Sequence, residues 1–319
     1  RDALHRAEQA QGAGSVDLLA HQSALRETVS ALMLARGKTA EARSHAAEAV
    51  RLMAGRPEAA SPLGARPLRR LAEAQLAMGD LAEGMASYRQ ALALLPSKAN
   101  TAHADLQQAL RLGYARALIE LGDAETAEAT LDQAAADPRP LQPEEQARLD
   151  SLRAALAQQR HDLSAALAAT LRADSVLAAI LPPDHPQRRL VQAQACELSA
   201  AHCPDTLDQA VGDNPELSGL LQLSLARRAR ADGRVAAADT LARAALVSAA
   251  TSGQPRLQWQ TYALLADLRS AAGRAAEAIF FGKLALASLQ QQRERLLPMG
   301  SVADARYLAN KAPLYRRVA

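Results

Sequence analysis

The side chains that could do nucleophilic or metal chemistry are two cysteines, seven histidines and a scatter of serines and carboxylates. Cys196, His202 and Cys203 offer three zinc-type ligands, but no fourth ligand stands at a matching spacing, and the cysteine pair is not separated as zinc pairs are. No metal is expected. Cys196 falls among small residues on a helical pattern, where a free cysteine serves as a compact hydrophobe. A disulfide to Cys203 is disfavoured in a cytosolic setting, and the chain is expected to be cytoplasmic. His185 lies in the turn Asp184-His185-Pro186 and suits a cap. Around His5, His21, His45 and His103 the sequence shows no acidic or nucleophilic residue at a telling spacing. A serine–histidine–aspartate triad needs a rigid frame, and the glycines are single rather than grouped into a phosphate cradle. The sequence therefore predicts no catalytic residues, no cofactor and no enzyme.

The elements that would position any site are helical. Aromatic residues are 3% and hydrophobic residues 49% of the 319, so alanine and leucine must build the core. That suits close helix packing and argues against a sheet, which favours β-branched and aromatic residues. No uncharged apolar run approaches the roughly 18 residues a membrane helix needs. The net charge of +3 is too mild and too dispersed for a nucleic-acid binder. The chain opens at Arg1 without a methionine and closes at Ala319 inside a helical pattern, as expected of a piece cut from a longer protein.

From Arg66 to Pro96 the apolar positions fall three and four apart, first as Leu71, Ala72, Gln75 and Leu76, then as Leu81, Gly84, Tyr88, Ala91 and Leu92. Such spacing keeps residues on one helical face. Gly79-Asp80 separates the two runs, so the stretch predicts a helical hairpin with a shared seam. Gly37, Gly79, Gly122, His161, Gly233 and Gly273 mark equivalent turns, spaced 42, 43, 39, 72 and 40 residues apart. The long step predicts one further, degenerate hairpin turning near Cys203-Pro204, with a short second helix over Asp205 to Val211. Five residues past each turn stands Ala42, Gly84, Ala127, Ala166, Ala238 or Ala278. Twelve past it stands Ala49, Ala91, Ala134, Ala173, Ala245 or Ala285. Small residues at both places let neighbouring backbones approach. Proline-rich segments, Gly55 to Pro67 and Pro138 to Glu145, are predicted to be loops. A helix is predicted over Arg1 to Gln11.

The small residues, turn glycine and closing proline at Ala72, Gly79, Gly84, Tyr88, Ala91 and Pro96 resemble the tetratricopeptide repeat. The resemblance implies an all-α, right-handed α-solenoid of about seven such hairpins, one degenerate, over residues 1–297. Asp184-His185-Pro186 is similar to the inter-repeat turn of the kinesin-light-chain subtype. In the family, first helices line a concave groove that binds protein segments. The positions that face it correspond here to Arg66, Arg69, Glu73, Arg116, Arg148, Arg227 and Arg230. Arginine forks grip carboxylates with two bonds, so an acidic protein or peptide partner is implied. Alternatively, these arginines are solvated or pair with Glu27, Glu73, Glu120 and Asp267. A chaperone-tail receptor is not implied, because Glu27 and Ala31 occupy places that its carboxylate clamp would use.

Ala278-Ile279-Phe280-Phe281-Gly282-Lys283, then Leu289, Arg293, Tyr307-Leu308 and Tyr315-Arg316, resemble the junction in CHAT-domain proteins, where repeats lead into a caspase-like peptidase domain. This implies that residues 298–319 form a helical tail towards a missing C-terminal domain. The array would then regulate that domain, relaying segment binding through the long helix over Ala275 to Leu297. A structural scaffold or oligomerisation array of another signalling protein is the alternative.

Overall fold

A computed structural model describes residues 16–96, 103–136, 139–204 and 214–318. Fourteen α-helices and no strand occur among them: α1 Val16–Ala35, α2 Thr39–Met53, α3 Pro62–Ala77, α4 Leu81–Ala93, α5 Ala104–Leu121, α6 Ala124–Ala135, α7 Pro143–Gln159, α8 Leu163–Ala178, α9 Pro186–Leu198, α10 Pro215–Ala231, α11 Val235–Ser252, α12 Pro255–Ala271, α13 Ala275–Glu294 and α14 Ser301–Val318. The predicted helix over Arg1 to Gln11 and the short helix over Asp205 to Val211 lie outside the described residues. The chain is an all-α array of hairpins, each packed on the next.

Six hairpin turns share one device. The turn residue is left-handed, and the amide after it donates to the carbonyl five residues back: Lys38 to Met33, Asp80 to Gln75, Asp123 to Leu118, Asp162 to Ala157, Arg234 to Ala229 and Arg274 to Arg269, all at 2.8–3.0 Å. This bond satisfies a carbonyl that the helix end would otherwise orphan. His161, at φ 60°, is the non-glycine residue that takes this conformation, as its place in the repeat predicts. The alanines twelve past each turn, from Ala49 to Ala285, are all fully buried. Those five past it are buried too, except the half-buried Ala278. Gly84 leaves no room for a side chain in this seam: a Cβ there would stand 2.8 Å from Leu76 Cδ2.

Prolines behave differently from the sequence expectation. The segment Gly55 to Pro67 is not a loop throughout: Pro57–Ala60 forms a 3₁₀ turn, and α3 starts at Pro62 with Pro67 inside it. Ser61 caps that helix by accepting from the Leu63 amide. Pro62, Pro143, Pro186, Pro215 and Pro255 all occupy first helical positions, where the missing N–H costs nothing.

The array is wound tightly enough to meet itself. The Gly37 turn abuts Pro215 at the start of α10, the Gly79 turn abuts Pro255 at the start of α12, and the Gly122 turn abuts Asn310 on α14. Each contact spans five hairpins, so one superhelical turn takes five. Hydrogen bonds lock the seam. Asn214 Nδ2 donates to the Ala35 carbonyl at 2.7 Å, Arg295 Nη1 donates to Asp80 Oδ1 at 2.6 Å, and Asn310 Nδ2 donates to the Glu120 carbonyl at 3.3 Å. Arg306 also pairs with Asp123. The long helix expected over Ala275 to Leu297 stops at Glu294, and a 3₁₀ turn at Leu297–Met299 redirects the chain into α14. That last helix is docked. Tyr307 is buried, and Arg293 holds Asp304 through two bonds of 2.7 and 2.9 Å.

Candidate functional site

The first helices α3, α5, α7, α9 and α10 face the interior of this superhelix. Residues four apart on one helix share a face, which puts Arg69 and Glu73 of α3 side by side, and likewise Arg116 and Glu120 of α5. Between these helices lies a cavity of about 520 Å³. Its lining brings Arg69, Arg116 and Arg148 together with Glu144 and Glu145 and with the apolar Leu177, Val191 and Leu217. The lining therefore offers charges of both signs beside apolar surface.

Local charges are unequally matched. Glu73 accepts from Arg70 at 2.8 Å and lies 3.7 Å from Arg69. Burial pushes its carboxyl up, but Arg69, Arg70 and Arg148 together outweigh that and hold it below the ordinary range. Burial depresses the Arg69 guanidinium, against the pull of Glu73. Burial also acts to lower Arg116, yet Glu216 and Glu120 more than offset it and leave Arg116 raised. Glu216 belongs to α10 and stands 3.9 Å from Arg116, a contact that exists only because the array has wound back on itself. Arg148 has no ion-pair partner among the described residues. Its charge acts on Glu73 at longer range.

Of the residues implied by the repeat resemblance, Arg69, Glu73, Arg116 and Arg148 do come together. Arg66 is exposed at the edge of this group, where its charge acts on Glu27. Arg227 turns to Glu197 at 3.3 Å, and Arg230 to Asp267 at 2.7 Å on α12. Arg230 with Asp267 is a pair between neighbouring units that the alternative named; Arg69 pairs with Glu73 within its own helix, and Arg227 takes Glu197, which the alternative did not name. Sequence reasoning missed Arg256, Trp259 and Lys311, which line a second cavity further along the interior. Lys311 belongs to α14, which no repeat register places against α5. Among the described residues, no three histidine, cysteine or carboxylate side chains converge as a metal site. No helix of the described residues is long and apolar enough to cross a membrane.

The expectation of a free, core-packed Cys196 is overturned. Cys196 is buried, but it is bonded to Cys203. In a continuous helix, residues seven apart would have Cα atoms about 10.5 Å apart. Here α9 ends at Leu198, Ser199 is extended, and the 3₁₀ turn Ala200–His202 folds the chain back until the two Cα atoms are 4.4 Å apart.

No protein-family model matches the chain, and none of the curated proteins compared with it is a match. Among solved structures, the fold is similar to that of a Rap protein complexed with Competence and Sporulation Factor, at 13% identity and a TM-score of 0.49, covering 98% of this chain and 77% of that one. It is also similar to a tetratricopeptide repeat protein from Parabacteroides merdae ATCC 43184, at 17% identity and a TM-score of 0.45, covering 86% of this chain and 97% of that one. Likeness at this level bears on neither ligand nor activity.

Proposed function

We propose that this chain is a protein-interaction module whose superhelical interior holds an extended segment bearing both acidic and apolar side chains. The observation that carries this reading is the cavity that gathers Arg69, Arg116 and Arg148 with Leu177, Val191 and Leu217, in which Arg148 makes no ion pair with a described residue. A carboxylate of the segment would take Arg148 through a bidentate pair, while a neighbouring apolar side chain would fill the space against Val191 and Leu217. The test is a peptide array of acidic–apolar decamers, followed by titration of the hits. Arg148→Glu should weaken binding at least about tenfold, whereas Arg160→Glu on the outer face should leave it unchanged. Equal affinity in the wild type and Arg148→Glu would refute the assignment.

The finer reading, control of an attached caspase-like domain, rests on the resemblance of residues 278–316 alone. In it, α13 and α14 would pass the strain of binding to a domain beyond Ala319. Cleavage assays on the full-length protein with and without the array test it; unchanged activity and control would refute it.

A structural or oligomerisation array is the second reading. Ile279 and Phe280 favour it, since they lie side by side on α13 and are 57% and 58% exposed. Light scattering decides this: a stable oligomer that Phe280→Glu disperses supports it, and a monomer at all concentrations refutes it.

A further inference from the structure

A second cavity, of about 270 Å³, opens where α7, α12 and α14 meet the end of α5. It exists only because the superhelix closes, since α14 supplies one wall and α5, five hairpins earlier, another. Arg256 and Trp259 reach it from α12, Lys311 from α14, Gln158 from α7 and Glu120 from α5. Two cations thus face a half-open space, Lys311 half-buried and Arg256 exposed, and the Glu120 carboxylate of the lining draws on both. Neither Arg256 nor Lys311 has an ion-pair partner among the described residues. Lys311 Nζ instead lies over the Trp259 ring, 5.2 Å from its centroid, and 5.5 Å from that of Tyr307. The amides of Asn310 and Gln159 are occupied, donating to the carbonyls of Glu120 and Ile119. Those of Gln158 and Gln260 have no hydrogen-bond partner among the described residues, so they add neutral donors to the two charged ones.

We infer that this cavity is a binding site for a small carboxylate, held by Arg256 and Lys311 beside Trp259. Two like charges share this space against the single lining carboxylate of Glu120, and a bound anion adds a second countercharge. Burial, and then the like charge of Arg256, hold the Lys311 ammonium down at about 8. The volume admits a ligand near the size of one amino acid, which fits either a free small carboxylate or the C-terminus of a peptide. A bound carboxylate would bridge α12 to α14 and so tie the superhelical closure together. The site is separate from the arginine wall at Arg148 and does not rest on the function proposed for it.

Trp259 is the single tryptophan of the chain, so its emission reports on this cavity without labelling. The probes are N-acetylalanine, acetyl-Ala-Ala-Ala-Leu with a free carboxyl group, and the same peptide amidated. Saturable change with either carboxylate supports the inference: the first alone assigns a free small molecule, and the second a peptide terminus. Arg256→Gln and Lys311→Gln should each weaken that binding about tenfold, the loss expected for one charge-assisted hydrogen bond. Arg148→Glu should leave it unchanged, which separates this site from the other. No saturable response in the wild type, equal binding of the amide, or full affinity in Lys311→Gln would each overturn it. The acid–amide comparison needs no variant, so a substitution that disturbed folding could not mask the answer.

Discussion

Replacing Gly122 by alanine probes the closure of the array, and Gly273 supplies its control. Both glycines are left-handed, at φ +94° and +73°, so alanine strains the backbone at each by about 1–2 kcal/mol. The shared gain from a less flexible unfolded chain largely cancels between them. Their surroundings differ. A Cβ at Gly273 meets nothing within 4 Å, whereas one at Gly122 would lie 2.7 Å from Asn310 Cβ and 3.0 Å from the Arg306 carbonyl oxygen. Those atoms are backbone or next to it, so α14 must shift as a body, at a cost of about 1–3 kcal/mol for overpacking. The shift also loosens Arg306 on Asp123 and Asn310 on the Glu120 carbonyl. Gly122→Ala should therefore cost about 1–3 kcal/mol more than Gly273→Ala in parallel urea titrations. It should also raise the radius of gyration in small-angle scattering, which Gly273→Ala should not. Equal costs with unchanged scattering would refute the closed superhelix.

Two further outcomes are expected. Burial raises the Glu27 carboxyl to about 7 against the pull of Arg66, Arg70 and Arg69. Between about pH 4.5 and 7 the folded chain then keeps a proton that the unfolded chain has released, so stability falls as pH rises through that window. Glu27→Gln should abolish this loss, a relative gain of about 1–3 kcal/mol at pH 8 over pH 4.5; identical pH slopes in urea titrations would contradict it. Cys203→Ser should lower stability by about 1–3 kcal/mol through the freed seven-residue loop, and thiol titration of the unfolded wild type should find no free cysteine until a reductant is added.

Much of the fold was legible because its rules are local. A glycine, or His161 in its place, five residues before one small residue and twelve before another, is a hairpin written in one stretch of chain. The structure buries nearly all of those positions. The prolines were harder to read. Pro67 lies within a helix because Ser61 and Pro62 start that helix early, so a proline cluster alone did not mark a loop. Cys196 escaped for a similar reason: its partner is near only after a break at Ser199 that no periodicity announces.

The candidate site divides in the same way. Placing Arg69, Glu73, Arg116 and Arg148 on inward faces needed only helical spacing and a repeat register. The sequence by itself determined helices, turns, alanine seams and the cations on the inner faces, since each depends on residues a few positions apart. Only the tertiary structure decided that Arg116 meets Glu216, that Lys311 meets Trp259, and that Arg148 makes no ion pair with a described residue. Those outcomes depend on the superhelical pitch, which is the sum of small rotations over five hairpins. No single stretch of chain encodes that sum.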